Sequence, residues 1–239
     1  MSKVLVFSDV HGNLPAMEAV LTEGLNRNVD SFVSVGDTMG VLGWPQDTAK
    51  LVRDVTEHAV YGNHDAYFRS DFNWVPHHPS QKQEHRVVTE NMYGCVQKWL
   101  DDLPEEVYAE YGDKTLYIVH ANPFTPRLLD KRWGEYKCGY PADGYCGKGK
   151  YTKVASFVDA DYVALGHTHQ QAKLDCSKFG HDTIVFNPGS VGAPYDEPAR
   201  FAILNTTENE VELCSTEYDV EKVKTRFEEL NITEDGDYP

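Results

Sequence analysis

No apolar run in this sequence approaches the roughly 20 residues that a membrane-spanning helix needs. No signal peptide is expected: the first apolar run, Val4 to Phe7, is only four residues long and leads straight into Asp9. A cytoplasmic protein with no membrane partner is expected. Cysteine is scarce. Cys95, Cys138, Cys146, Cys176 and Cys214 make an odd total without a C-x-x-C pair, a pattern of free thiols. Cys138 and Cys146, which flank a Gly-rich loop, are the one pair to test for a bridge or a further metal. Positive charge is scarce too. The 22 Lys and Arg against 38 Asp and Glu leave a net charge of −16, which argues against a protein that coats duplex nucleic acid. There is no internal repeat and no Gly/Ser/Pro-rich linker to divide domains. With 239 residues, 41% hydrophobic and 25% charged, the chain suits one large domain over 1–232 followed by a disordered tail at 233–239.

What is present is concentrated in five short stretches. They are Asp9-Val10-His11, Gly36-Asp37, Gly62-Asn63-His64-Asp65, His120, and Gly166-His167-Thr168-His169. Each comes after an apolar run that reads as a buried strand: VLVF, SFVSV, HAVY, LYIV and YVAL respectively. In layered α/β proteins, ligands collect beyond the carboxyl ends of strands. Asp, His and Asn at five such ends therefore predict one shared site. On extended backbone, residues i and i+2 point to the same side. Asp9 and His11 could then grip one ion, as could His167 and His169. Asp37 can bridge two cations through its two oxygens, and Asn63 offers a neutral amide oxygen. Glycines 12, 36, 62 and 166 let the backbone leave a strand sharply or let an ion approach.

In this order the motifs resemble the calcineurin-like metallophosphoesterases, from residue 3 to about residue 217. Within that family they are similar to the small bacterial and archaeal phosphodiesterase-type branch, through the HGNLPAMEAVL opening and the NPGSVG turn. The resemblance implies a four-layer α/β/β/α sandwich, two facing mixed sheets flanked by helices. It implies two divalent metal ions, Mn²⁺ ahead of Fe²⁺, Ni²⁺, Co²⁺ or Zn²⁺. One ion would be held by Asp9, His11, Asp37 and His169, the other by Asp37, Asn63, His120 and His167. A hydroxide bridging the metals would attack phosphorus, with His64 as the general acid. Two cations against two carboxylates leave roughly +2 at such a site, enough to draw a phosphate to an acidic protein.

The substrate class implied is a small phosphodiester of nucleotide or 2′,3′-cyclic type, or an RNA end. A phosphomonoesterase or protein phosphatase, a dinucleotide polyphosphate hydrolase, and a non-catalytic scaffold on the same fold stay open as alternatives, as does oligomeric state. One departure favours the diesterase branch. Protein serine/threonine phosphatases continue Gly-Asp with Asp-Arg-Gly, whereas here Gly36-Asp37 leads into Thr38-Met39-Gly40-Val41, without an arginine.

The remaining sequence supplies the frame. Helices are expected from about Asn13 to Asn26, with Leu14, Met17, Leu21 and Leu25 buried, and from about Pro45 to Glu57. A lid-like insertion is expected over about 68–102, a loop to residue 80 and then one helix from Gln81 to Asp101. A hairpin, Val107–Tyr111 and Thr115–Val119, turns at Gly112-Asp113. Residues 121–150 read as an irregular loop. Arg127, Lys131, Arg132, Lys137, Lys148, Lys150 and Lys153 gather there and just beyond it, as a solvated face or a phosphate contact. A short helix, further strands around Asn187-Pro188-Gly189-Ser190, and a helix at Val220 to Leu230 complete the chain. His58, His77, His78, His85 and His181 carry no motif and read as structural or surface residues, and Asp65 could orient a nearby group or cap a turn.

Overall fold

A computed structural model describes residues 2–90, 92–121, 123 and 148–232. The chain forms β1 (Lys3–Phe7), α1 (Leu14–Asn26), β2 (Ser31–Ser34), α2 (Pro45–Val55), β3 (His58–Ala59) and α3 (Asn63–Ala66). It continues with α4 (Pro79–Thr89), α5 (Gly94–Asp102), β4 (Glu106–Tyr111), β5 (Lys114–Val119), α6 (Lys148–Ala155) and β6 (Tyr162–Ala164). The last elements are β7 (Ala172–Asp175), β8 (Ile184–Asn187), β9 (Ala199–Asn205), β10 (Glu210–Thr216) and α7 (Val220–Leu230). The expected tail at 233–239, Cys138, Cys146 and most of the basic cluster lie outside the described residues.

The strands form two five-stranded mixed sheets, in the orders β10-β9-β1-β2-β3 and β4-β5-β6-β8-β7. Parallel pairs sit at the centre of each, β1 with β2 and β6 with both β5 and β8; antiparallel strands close the edges except at β3, which pairs parallel with β2. Alternation along the strands decides the layers. Val4, Val6, Val33 and Val35 of the first sheet meet Leu116, Ile118, Tyr162, Ala164 and Phe186 of the second in a core between the sheets. Leu5 and Phe7 face the other way, onto Met17 and Val20 of α1 and Val52 of α2. Tyr117, Val163 and Val185 pack on Tyr151 and Val154 of α6. The result is the expected helix–sheet–sheet–helix sandwich. Among the described residues no helix is long and apolar enough to cross a membrane.

Two local expectations are corrected. Helix α1 begins as expected, with the Asn13 side chain accepting from Ala16 N at 3.2 Å, but Leu25 is 67% exposed. The buried face runs instead through Ala16, Met17, Val20 and Gly24. A Cβ on Gly24 would lie 2.7 Å from the Phe32 ring and 2.8 Å from Leu5, so the helix comes closest where it has no side chain. The single helix expected over Gln81–Asp101 is two helices, α4 and α5. The buried Gln46 side chain holds the break open: its amide donates to Val88 O at the end of α4, and its carbonyl accepts from Tyr93 N at 3.3 Å before α5. One side chain thus satisfies groups that helix termini leave without partners.

Candidate functional site

Beyond the strand ends, the backbone bends in a way the spacing does not foretell. Asp9, His11, Asp37, His167 and His169 all have left-handed φ values, between 51° and 67°. The pairs Asp9/His11 and His167/His169 therefore do not converge by strand alternation. They converge because successive residues are turned back in loops, a conformation that costs about 1 kcal/mol or more per non-glycine residue and persists only where surrounding bonds enforce it. Those bonds are present. Asp9 N donates to Gly36 O at 2.9 Å and His11 N to Asp37 O at 3.0 Å, which zips the loop after β1 to the loop after β2. Ser190 Oγ donates to Asp9 O at 2.8 Å, and Gly192 N to the same oxygen at 3.0 Å, so the NPGSVG turn buttresses the first loop. Asn187 Nδ2 donates to Gly166 O at 2.7 Å and steadies the loop that bears His167 and His169.

The loops bring the candidate side chains into one cluster, with Asp9, His11, Asp37 and His120 buried and Asn63, His64, His167 and His169 partly exposed. Ligand atoms of Asp9, His11 and His169 lie within 4.8 Å of one another, as do those of Asp37, His120 and His167. His11, Asp37 and His64 form a third such group. Asp9 Oδ1 lies 3.3 Å from His169 Nε2, and Asp37 Oδ2 lies 3.1 Å from His120 Nε2. Asn63 joins through Oδ1, 3.0 Å from His167 Nδ1. All seven sequence-derived ligand candidates, and His64, are thus placed together.

Burial alone would raise the carboxyls of Asp9 and Asp37. His169 and His120 beside Asp9, and His120 and His64 beside Asp37, overcome it and hold both carboxylates ionised. Burial and the neighbouring His64 and His169 push His11 down to about 3. Burial and His120 push His167 down to about 4. Burial opposes charge on His120 as well, but Asp37 lifts it to about 9. Neutral His11 and His167 hold lone pairs ready for a cation at neutral pH, whereas His120 must shed a proton to ligate. Metal uptake should therefore release a proton.

A divalent cation fits these residues on a further observation. Ser8 Oγ, Asp9 Oδ1 and His120 Nε2 are buried and make no hydrogen bond, although Asp9 Oδ1 and His120 Nε2 have the ionisable neighbours His169 and Asp37. Buried polar atoms without partners are rare in folded proteins. Three of them beside two carboxylates and a set of imidazoles form a donor set of nitrogen and oxygen atoms suited to a first-row divalent ion. Glycine makes the close packing feasible: a Cβ at Gly166 would lie 2.1 Å from Ser8 Oγ and 3.0 Å from Asp9 Oδ2.

A family profile described as the calcineurin-like phosphoesterase superfamily domain matches residues 2–209. The chain belongs to this superfamily. An uncharacterized protein of Methanocaldococcus jannaschii is 28% identical over 98% of this chain and 95% of its own length. A metallophosphoesterase of Sphaerobacter thermophilus has the same fold, with a TM-score of 0.75 at 23% identity, covering 98% of this chain and 95% of that one. An archaeal phosphodiesterase superposes with a TM-score of 0.53 at 17% identity, covering 89% and 99%. Membership makes the chain one of a superfamily of metal-dependent phosphoester hydrolases, and the Asp and His groups provide for divalent metal.

Two contributors are not singled out by the sequence, and a third, Asp65, has its role shown by its contacts. Asp65 accepts from Gly62 N at 3.0 Å and Met39 N at 2.8 Å, tying the Gly62 and Asp37 loops together. Burial and the nearby Asp37 raise its carboxyl to about 6. Val35 O holds His120 Nδ1 at 2.7 Å, which turns Nε2 toward Asp37. Glu84, on α4, lies with Oε1 2.5 Å from His64 Nδ1. The sequence carries one signal for it: Glu84 is three and four residues before Val87 and Val88, so it stands on the buried face of an amphipathic helix.

Proposed function

We propose that this protein is a manganese-dependent phosphodiesterase with a dinuclear site, acting on small nucleotide-type or 2′,3′-cyclic phosphodiesters. The observation that carries this is the convergence of Asp9, His11, Asp37, Asn63, His120, His167 and His169 on one cluster, with His64 at its edge. Asp9, His11, Asp37 and His169 would hold one cation, and Asp37, Asn63, His120 and His167 the other. When bound, such cations lower the pKa of water toward about 7 and neutralise charge developing on the phosphoryl oxygens.

The chain's own residues do the rest. Asp37 is fixed by the His64 N–H, which donates to its Oδ1 at 2.7 Å, so a carboxylate between the two ligand groups keeps its orientation. In the metal-free protein burial works against a charge on His64, but Glu84 and Asp37 raise it to about 10, so the ring holds a proton available for donation. That proton passes to the departing oxygen as its bond to phosphorus breaks. With 19% of its side chain exposed, His64 is open to a substrate arriving from solvent, whereas His11 and His120 are buried.

The preference for a diester rests on the Asp37 loop. Thr38, Met39, Gly40, Val41 and Leu42 are uncharged, and a monoester dianion benefits most from a cationic clamp. Arg69, the basic residue closest in sequence after His64, is turned away: its Nη1 donates to Leu100 O at 2.6 Å and Leu103 O at 3.0 Å. Likeness in fold to an archaeal phosphodiesterase accords with the reading. Paired kinetics on a nitrophenyl monoester and its bis-ester, at one pH and with Mn²⁺ supplied, test it. Faster diester cleavage is expected. A clear monoester preference would overturn it and direct attention to the basic residues between 121 and 153.

A further inference from the structure

The mechanism leaves the Glu84 carboxylate without a part. It is 6% exposed, and a carboxylate is costly to bury unless it is paired and hydrogen-bonded. Its partner is the His64 ring, Oε1 to Nδ1 at 2.5 Å. The helix that carries it is anchored by packing and by hydrogen bonds. Val87 and Val88 are buried, Gln46 donates to Val88 O, and Arg86 Nη2 donates to Leu230 O at 2.8 Å. The groups of potential metal ligands include His64 with His11 and Asp37, but not Glu84. The carboxylate is therefore turned to the imidazole rather than to the cluster of candidate ligands.

We propose that Glu84 is a positioning residue for His64: it accepts the Nδ1 proton, fixing the tautomer and ring plane so that Nε2 is the nitrogen presented to the leaving oxygen. This rests on the acid role given to His64 in the proposed reaction. The backbone of His64 is held separately, by its N–H on Asp37 Oδ1. The ring is also bounded by the edge of His11, with centroids 4.7 Å apart, and by Tyr67 at 5.3 Å. Glu84 is the polar contact that distinguishes one ring nitrogen from the other. When the Nε2 proton passes to the leaving oxygen, the Nδ1 proton stays on the bond to Glu84. The imidazole thus ends neutral in the tautomer from which Nε2 can be reprotonated by solvent.

The test uses the full chain with Glu84→Gln and, in case that variant folds poorly, Glu84→Asp, whose shorter side chain withdraws the carboxylate. Two readouts are needed. In metal-free protein labelled with ¹⁵N-histidine, wild type should show a low-field Nδ1 proton resonance that disappears in His64→Ala and moves upfield in both Glu84 variants. With Mn²⁺ supplied, each variant should keep wild-type metal content and a KM within about twofold. Its kcat should fall about tenfold or more for a diester with an alkyl leaving group, and less for a nitrophenyl one, because a positioned acid contributes about 10²- to 10⁴-fold where the leaving group needs the proton. Unchanged resonance and kinetics in a folded variant would overturn the proposal. So would a loss of stability, or an equal loss of kcat on both leaving groups, with the resonance unmoved. If wild type hydrolyses neither diester while the resonance depends on Glu84, the contact stands and the phosphodiesterase reading falls. If both diesters are turned over and Glu84→Gln changes nothing, the reverse holds.

Discussion

Gly62→Ala should disable the site through one methyl group. Gly62 has a φ of −101°, which alanine adopts without strain, so any effect is steric. The added Cβ would lie 2.1 Å from Asp37 Oδ1 and 2.6 Å from both Asp37 Cγ and Asp37 N. Ordinary contact begins near 3.4 Å. Because Asp37 N is backbone, a rotamer change cannot relieve the clash, and the two loops must part by about 1 Å. Asp37 would then lose its hydrogen bond from His64 N, at 2.7 Å, and its approach to His120 Nε2, at 3.1 Å. Overpacking of this kind costs about 1–3 kcal/mol. A misplacement of about 1 Å at the reacting centre costs about 10²-fold in rate. Urea unfolding, metal content per chain and diester turnover report the three effects. Two glycines calibrate them. Gly112 has a φ of +72° and open space around it, so Gly112→Ala should cost about 1 kcal/mol and leave turnover untouched. Gly94→Ala meets nothing within 4 Å at the start of α5 and should be neutral or slightly stabilising. If Gly62→Ala matched Gly94→Ala in stability, metal content and rate, the tight fit between the loops would have no functional meaning.

Asp37→Asn should lower occupancy at both proposed metal sites, whereas His169→Ala should lower mainly one. Elemental analysis per chain separates them, and full occupancy with near-normal turnover in Asp37→Asn would remove the bridging role. His64→Ala should keep its metal and lose about 10²- to 10⁴-fold in kcat, most for poor leaving groups; an equal loss for nitrophenyl and alkyl leaving groups would point to phosphate binding instead. Stability of the metal-free protein should peak near pH 6.5. His64 and His120 rise from 6.5 to about 10 and about 9, so their contribution is present below 6.5 and is lost as pH climbs through those values. His11 and His167 fall to about 3 and about 4, so stability is also lost as pH drops below 6.5, with Asp65, raised to about 6, partly offsetting that limb. A urea-unfolding series from pH 4 to 10 that rises steadily beyond 6.5 would contradict these assignments.

The parts of this site that can be read from the sequence are those whose chemistry is local. Asp9 and His11, Asn63 and His64, and His167 and His169 each stand within three residues of one another after an apolar run. Residue type and order are enough to nominate them, and the sheets come from the runs themselves. How the paired ligands converge is different from the expected strand alternation, because strand periodicity carries no information past a strand's last residue. There Asp9, His11, His167 and His169 take left-handed conformations held by distant bonds, among them those with Gly36, Asp37, Ser190 and Asn187. Those partners lie up to 181 residues away in the chain.

The partners of Gln46 and Glu84 are not legible in the sequence for the same reason, and the two residues suggest where to look. Each is a long polar side chain on the buried face of a helix, 7% and 6% exposed. Leaving such a group unpaired costs about 1–3 kcal/mol or more, so each must have a partner elsewhere in the fold. For Gln46 the partners are Val88 O and Tyr93 N, and the result is the break between α4 and α5. For Glu84 the partner is His64, 20 residues earlier, and the result is an oriented imidazole. A polar residue in phase with an apolar stripe is thus a pointer to a distant contact. It cannot name that contact, because the helix that bears it is positioned by the packing of Val87 and Val88 against other elements. Position along the chain puts Glu84 in an unremarkable helix, and tertiary packing makes it the neighbour of the one histidine proposed to move a proton.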